Sequence, residues 1–200
     1  MILLVWNIRH LFPSLGEAIK HGFFTVASII STTGFYSINF DEWSEFAKVL
    51  LLLLMFIGAC AGSTGGGMKV SRIIILFKSM KREMSTMIHP KQIKKVTVDQ
   101  HPLETEVLRS VRAYLTAYIF LFIGSLAIIT LTDRVDFLTG FSSVATTINN
   151  VGPGFNLIDP TSNYAFYSAP GKLILILDML AGRLELFPVL LLFTPSFWKK

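Results

Sequence analysis

The stretch that decides the fold is residues 137–158, which read FLTGFSSVATTINNVGPGFNLI. It carries no charge, yet half of its residues are Ser, Thr, Asn or Gly, and Pro153 stands between two glycines. A second uncharged stretch, residues 22–40, has a similar composition. Segments of this kind make poor lipid-facing helices. If they enter a bilayer, their irregular backbone has to be buried in protein or line a watery cavity.

The two polar stretches match each other as copies of one unit. At a constant offset of 118, identical residues recur at Gly22 and Gly140, Phe23 and Phe141, Val26 and Val144, Ala27 and Ala145, and Gly34 and Gly152. At an offset of 124, the matches are Lys48 with Lys172, Met55 with Met179, and Gly58 with Gly182. A chance match in Ser/Thr-rich sequence is the alternative. An internal repeat is favoured because the order of polar stretch and then apolar helix also recurs.

Composition excludes an ordinary soluble enzyme. The chain is 52% hydrophobic and only 16% charged, with a mean hydropathy of +0.58, whereas soluble domains carry about 25% charged residues. Residues 49–68 and 113–132 are uncharged runs of twenty, long enough to cross a bilayer. A third apolar run, residues 173–198, is interrupted by charges. The single cysteine excludes a disulfide framework and a Cys-rich metal site.

The basic residues are concentrated between two apolar runs. Ten of the eighteen Lys and Arg lie between Lys69 and Arg112, with only four acids among them. This pattern is typical of a cytoplasmic loop under the positive-inside rule. A nucleic-acid surface is disfavoured, because the stretch lacks interleaved aromatics and adjoins membrane spans, so no nucleic acid is expected as a partner.

Two topologies are open. Either all five uncharged stretches span the bilayer, or the two polar ones are re-entrant, with a short helix descending and an extended segment returning. Residues 133–136 form a very short link between two full spans, and re-entry would leave Lys199 and Lys200 on the cytoplasmic side. The positive-inside rule therefore favours re-entry.

The two return segments, residues 31–35 and 149–153, have features of a cation filter. Such a filter replaces the water shell of an ion with backbone carbonyls, and glycine allows the backbone angles that this requires. The preceding short helix would point its negative C-terminal end at the ion. On these residues alone, ordinary glycine-containing turns remain the alternative.

Three motifs resemble those of the Trk/Ktr/HKT superfamily of potassium transporters, most closely the bacterial Trk membrane subunit. They are Thr32-Thr33-Gly34-Phe35, the run GACAGSTGGGMK at residues 58–69, and Asn149-Asn150-Val151-Gly152-Pro153-Gly154. The resemblance implies an all-α membrane protein of repeated helix–pore loop–helix units, K⁺-channel-like, with re-entrant pore helices. It makes residues 1–83 a third repeat that lacks most of its first helix, residues 84–107 a basic cytoplasmic loop, and residues 108–200 a fourth repeat.

The resemblance also assigns roles. K⁺, as the transported ion, would bind backbone carbonyls of Thr32, Thr33, Gly34, Phe35, Asn149, Asn150, Val151 and Gly152. A gate beneath the filter would comprise Gly62, Ser63, Thr64, Gly65, Gly66, Gly67, Lys69 and a pore-facing Arg183. No enzymatic step, catalytic residue or covalent cofactor is implied.

The resemblance further implies the setting in which the chain works. This is a multi-pass protein of the cytoplasmic (inner) membrane, in contact with the lipid bilayer, with the basic loop and the C-terminus cytoplasmic. Homodimerisation and a cytoplasmic nucleotide-binding regulatory subunit are the expected partners.

Alternatives stay open at this point. The glycine run could serve close helix packing, and Arg183 could pair structurally with Asp178 or Glu185, although offsets of five and two are not ideal on a helix. A membrane enzyme using these three charged residues is a second hypothesis. A non-conducting fragment or split subunit that needs the missing repeats is a third.

The topology can be tested by cysteine labelling in intact cells. Re-entry of residues 137–158 places the loop from Lys78 to Glu106 and Lys200 on the cytoplasmic side. A cysteine introduced at either place should therefore resist an impermeant reagent added outside and react only after the membrane is opened. Labelling of position 200 from the outside would contradict re-entry.

Overall fold

The computed structural model describes residues 1–58, 60, 63, 65–89, 95–98, 101–184 and 188. Its helices are α1 (Ile2–Ile8), α2 (Leu15–Ile30), α3 (Glu45–Phe56), α4 (Val70–Ile88), α5 (Thr105–Asp133), α6 (Phe137–Ile148) and α7 (Ala169–Leu184). Two short strands, β1 (Thr97–Val98) and β2 (His101–Pro102), pair antiparallel. The described part is therefore mainly helical, as the composition predicts.

The first three helices pack on one another around an apolar core. Leu4 and Ile8 of α1 meet Ile29 of α2 and Leu51 and Met55 of α3, all essentially buried. Serine hydroxyls cap α2 and α3, since Ser14 accepts from the Glu17 N–H and Ser44 from the Ala47 N–H. Such caps satisfy backbone donors that have no partner within the helix.

The uncharged run at residues 49–68 is not one continuous helix. Its glycine run predicts a break in the helix, and this prediction is confirmed, because α3 ends at Phe56. Beyond it the Gly58 N–H donates to the Met68 carbonyl at 2.8 Å. This hydrogen bond joins the two ends of the segment that contains the glycine run. Successive glycines cost about 1 kcal/mol each in a helix relative to Ala, so the break follows from the sequence.

Helices α5, α6 and α7 form a second group. Their contact is centred on Tyr118, Ile129, Val144, Ile148 and Leu175. Within the described residues, α5 is the helix that is long and apolar enough to cross a membrane. The short helix α6 begins after Asp136, whose carboxylate accepts from both the N–H and the hydroxyl of Thr139.

Helix α4 lies against the N-terminal part of α5. Ile75 of α4, Val96 before β1, and Leu108 and Val111 of α5 form a small separate core. Arg112 of α5 also donates to the Ser79 hydroxyl at 2.7 Å. The basic stretch between the two helices therefore includes a packed hairpin.

Candidate functional site

Helices α2 and α6 end in the same way. After α2, the N–H of Thr32 donates to Ile29 O and that of Thr33 to Ser28 O. After α6, the N–H of Asn150 donates to Thr147 O and that of Val151 to Thr146 O. Every donor and acceptor in the second set lies 118 residues after its counterpart, which is the offset of the sequence repeat.

The backbone then turns through the left-handed region at matching positions. Thr32 has φ 54° and Asn150 has φ 55°, while Gly34 has φ 73° and Gly152 has φ 102°. Residues other than glycine rarely adopt this conformation. In both copies, two residues with positive φ are separated by one residue with negative φ. Both return segments therefore bend in the same way.

The two return segments touch. A Cβ added at Gly34 would overlap the carbonyl oxygen of Val151 and would come within 3.1 Å of the Pro153 ring. Space around Gly152 is open instead, with nothing within 4 Å of a Cβ there. The structure thus brings together the predicted filter residues of both copies, and it leaves Gly152 facing free volume.

Different side chains brace the two segments. In the first copy, the Ser28 hydroxyl donates directly to the Phe35 carbonyl at 2.6 Å. In the second copy, the Tyr164 hydroxyl donates to the Gly152 carbonyl at 2.6 Å and lies 2.8 Å from the Thr146 hydroxyl. Burial raises the pKa of Tyr164 to about 12, so this phenol stays protonated and able to donate at neutral pH.

Sequence reasoning missed Tyr164. The residue lies in the connecting loop of the second copy, which is six residues longer than that of the first, so the repeat supplies no counterpart to draw attention to it. The extra length was the available signal, because it marks the part of the second unit that has no equivalent in the first.

The glycine run packs against the start of the second return segment. A Cβ at Gly66 would overlap the Asn149 carbonyl oxygen, and one at Gly67 would lie 2.9 Å from the Asn149 side-chain oxygen. From the other side, a Cβ at Gly182 of α7 would overlap the Ile148 carbonyl oxygen. The end of α6 is therefore enclosed by backbone on two sides. The predicted gate residues Gly62 and Thr64 lie outside the described residues.

A small polar cavity of about 40 Å³ is lined by all of the remaining predicted gate residues except Gly66. Its lining includes Ser63, Gly65 and Lys69 from the loop before α4, and Gly182 and Arg183 from α7. Arg72 of α4 also lines it and stacks over the Tyr114 ring at 3.9 Å. Three cationic side chains thus line one cavity, although Arg183 lies far along the chain from Lys69 and Arg72.

The alternative that pairs Arg183 with Asp178 is wrong. Asp178 is fully buried between α5 and α7, where its Oδ1 accepts from the Ser125 hydroxyl at 2.7 Å, and its Oδ2 has no hydrogen-bond partner. Helix geometry explains this outcome, since residues five apart face different directions. The other suggested partner, Glu185, lies outside the described residues.

Comparisons with known proteins identify the family of the chain. Residues 9–200 match the family model described as "TrkH: Cation transport protein". The chain is 40% identical over 198 residues to the Trk system potassium uptake protein TrkH of Salmonella typhimurium, covering 99% of this chain and 40% of that protein. It is 35% identical over 195 residues to the Trk system potassium uptake protein TrkG of Escherichia coli, covering 98% of this chain and 39% of that protein.

A solved structure shares the fold. The crystal structure of the potassium transporter TrkH from Vibrio parahaemolyticus superposes with a TM-score of 0.89 at 36% identity, covering 99% of this chain and 42% of that one. The chain therefore spans about two fifths of the length of the relatives that it matches.

The enclosure of α6 predicts a difference between two helical glycines. Gly182→Ala would force α7 away from the Ile148 carbonyl, and overpacking of this kind costs about 1–3 kcal/mol of stability. Gly124→Ala on α5 is the matched control, because nothing lies within 4 Å of its Cβ. Thermal unfolding of the purified protein in detergent should show a clear loss for the first variant only. Equal stability of the two would contradict the close approach.

Proposed function

The chain belongs to the TrkH family of cation transport proteins, and from that premise we propose that it forms the part of a potassium-uptake pore that contains two of the filter segments. The family is one of transporters and not of enzymes. The observation that carries the proposal is the paired geometry of the two return segments. They share backbone angles at an offset of 118 residues, and they meet through Gly34 and the Val151 carbonyl.

This geometry suits a dehydrated cation. In each return segment the left-handed residues alternate with ordinary ones, which redirects successive carbonyls. We propose that the carbonyls of Thr32, Thr33, Gly34 and Phe35, and those of Asn149, Asn150, Val151 and Gly152, are the K⁺ ligands. The C-terminal ends of α2 and α6 lie directly before them, and the negative end of a helix dipole favours a cation.

The length of α6 supports the interpretation that residues 137–158 enter the bilayer and return to the same side. Its twelve residues extend about 18 Å, which is a little more than half of a hydrocarbon core of about 30 Å. A helix that starts at the outer surface then ends near the middle of the bilayer. Inward K⁺ movement needs no chemical step, since the membrane potential contributes about 2.3 kcal/mol per elementary charge for each 100 mV.

We propose two obstacles below the filter. The first is the loop of residues 62–67, whose described glycines fit under Asn149 and so could act as a mobile plug. The second is the positive charge of Arg183, which shares the cavity with Lys69. A fixed charge repels K⁺ by about 332/(εr), or roughly 2 kcal/mol at about 8 Å with an effective ε of 20.

The proposed setting follows the family. The protein would lie in the cytoplasmic membrane as a homodimer, with residues 1–83 and 108–200 as two pore repeats and residues 84–107 as a basic cytoplasmic loop. A cytoplasmic nucleotide-binding subunit would contact that loop and regulate transport.

The second candidate is a chain that conducts only with further repeats. It is favoured by the share of the relatives that the chain covers, 40% of the Salmonella protein. It is also favoured by the surface of the first unit, where Phe23 is 64% and Phe35 70% exposed, while α6 is buried from Thr139 to Ile148 apart from the half-buried Phe141. Conduction by the reconstituted chain with and without the rest of a full-length protein separates the two candidates.

Filter substitutions test the assignment. Gly34→Ser and Gly152→Ser should each lower the K⁺/Na⁺ flux ratio, because a side chain at positive φ costs of order 1–3 kcal/mol in strain. Gly152→Ser is the cleaner test, since its Cβ meets no neighbour and folding should be preserved. Gly124→Ser is the matched control. Unchanged selectivity in both filter variants would refute the assignment.

Gate substitutions test the two obstacles separately. Deletion of residues 62–67 and the substitution Arg183→Ala should each raise K⁺ flux severalfold per correctly inserted molecule, in a full-length context. Arg109→Ala, which removes an exposed arginine from α5, should leave flux unchanged. If the glycine run serves only helix packing, its deletion should instead reduce the amount of folded protein. Flux at or below the wild-type value in both gate variants would mean that neither element obstructs the pore.

A further inference from the structure

A second basic cavity lies on α4, away from the filter. It measures about 250 Å³ and is lined by Lys78, Lys81, Arg82 and Ser85 of α4, and by Lys95, Val96 and Thr97 of the hairpin. Four of these seven residues are cationic, and none is acidic. Neither the filter nor the cavity beneath it includes any of them.

Glu83, the acid on α4, does not neutralise this cavity. Glu83 is shared between Arg82, at 2.6 Å, and Arg112 of α5, at 3.0 Å. Hydrogen bonds from Arg82 and then Arg112 hold the pKa of Glu83 below its usual range, so it stays ionised between the two. The negative charge of Glu83 is thus already balanced by two arginines. Lys78, Lys81 and Lys95 therefore leave an excess of positive charge around the cavity.

The wall of the cavity is anchored. Val96 is buried in the small core with Ile75 and Leu108, and its carbonyl accepts from the Leu103 N–H at 2.8 Å. Lys78 Nζ donates to the Thr97 carbonyl at 2.8 Å. These contacts fix the hairpin against α4, so the backbone on both sides of the cavity is in place before any ligand arrives.

The depth of the cavity can be read along α4. Gly66 meets Asn149 at the end of α6, near the middle of the bilayer if α6 descends from the outer surface. From Val70, at the start of α4, Lys78 lies about 12 Å and Arg82 about 18 Å along the helix axis. Half of the hydrocarbon core is about 15 Å thick. For a helix near the membrane normal, the cavity therefore lies where headgroup phosphates begin.

An apolar stripe accompanies the cavity on the same helix. Phe77, Met80 and Met84 are 65%, 55% and 57% exposed, and their spacing of three and four keeps them on one side of α4. Basic groups beside exposed apolar ones at the interface fit a ligand that has a phosphate and an acyl chain.

We propose that this cavity binds a phosphate group, and that the ligand is the headgroup of an anionic phospholipid of the inner leaflet. Lysine side chains act as point charges toward phosphate oxygens, and the Ser85 hydroxyl and hairpin backbone border the same space. The depth of the site rests on the re-entrant topology proposed above, whereas lipid binding itself can be measured whether or not the chain conducts K⁺.

The test compares lipid binding by the complete purified protein and by a charge variant. Native mass spectrometry with phosphatidylglycerol, phosphatidylcholine or inorganic phosphate serves as the readout. In Lys81→Gln/Lys95→Gln, affinity for phosphatidylglycerol should fall about fivefold for each lysine, while phosphatidylcholine binding stays the same. Lys81→Arg/Lys95→Arg should restore binding, and Lys20→Gln, which removes an exposed lysine from α2, should behave as wild type.

The outcomes separate the possible ligands. Phosphatidylglycerol binding that is lost in the charge variant and resists millimolar inorganic phosphate supports the headgroup. Saturable phosphate binding lost in the same variant, without preference between the lipids, would overturn the lipid and assign the cavity to soluble phosphate. Equal lipid and phosphate binding by variant and wild type would overturn the site altogether. If lipid and phosphate binding are unchanged but the variant no longer binds a cytoplasmic protein partner, the lysines belong to the interface with that partner.

Discussion

Three glycines, which carry no side chain, determine how the rest of the structure packs around the end of α6. Gly34, Gly66 and Gly182 come from three separate parts of the chain, and a Cβ at each would overlap the carbonyl oxygens of Val151, Asn149 and Ile148 respectively. Backbone thus lies directly against backbone at three of the four residues from Ile148 to Val151. Any other residue at these positions would push away the first return segment, the glycine loop or α7, since packed interiors absorb added atoms poorly.

The two copies of the unit share a backbone but not an environment. Both short helices lead into the same left-handed turns, yet α6 is enclosed while α2 leaves large apolar side chains exposed. The bracing of the return segments differs accordingly. In the first copy the Ser28 hydroxyl donates directly to the Phe35 carbonyl, whereas in the second copy Tyr164 of the longer loop donates to the Gly152 carbonyl. Equivalent positions in a repeat can therefore meet one geometric requirement with different chemistry.

Positive charge is collected in two places with different consequences. Lys69, Arg72 and Arg183 line a cavity of about 40 Å³, where the proposed pore would bring a cation close to their charge. The lysines of the hairpin cavity border a larger volume that is open to solvent, where the same charge attracts an anion. The distribution of basic residues along the sequence gives one basic loop, but the fold divides it between two sites.

The sequence by itself determined the membrane class, the repeat, the position of both return segments and the break after α3. Each of these rests on local properties: the run of uncharged residues, the constant offset, and the cost of glycine in a helix. The family resemblance added the filter and gate residues. Only the tertiary structure decided which residues meet. It paired Asp178 with Ser125 and not with Arg183, brought Tyr164 to Gly152, and set Gly182 against α6. These contacts join residues from 12 to 53 positions apart, and no local pattern specifies them, because they depend on how whole helices approach one another in space.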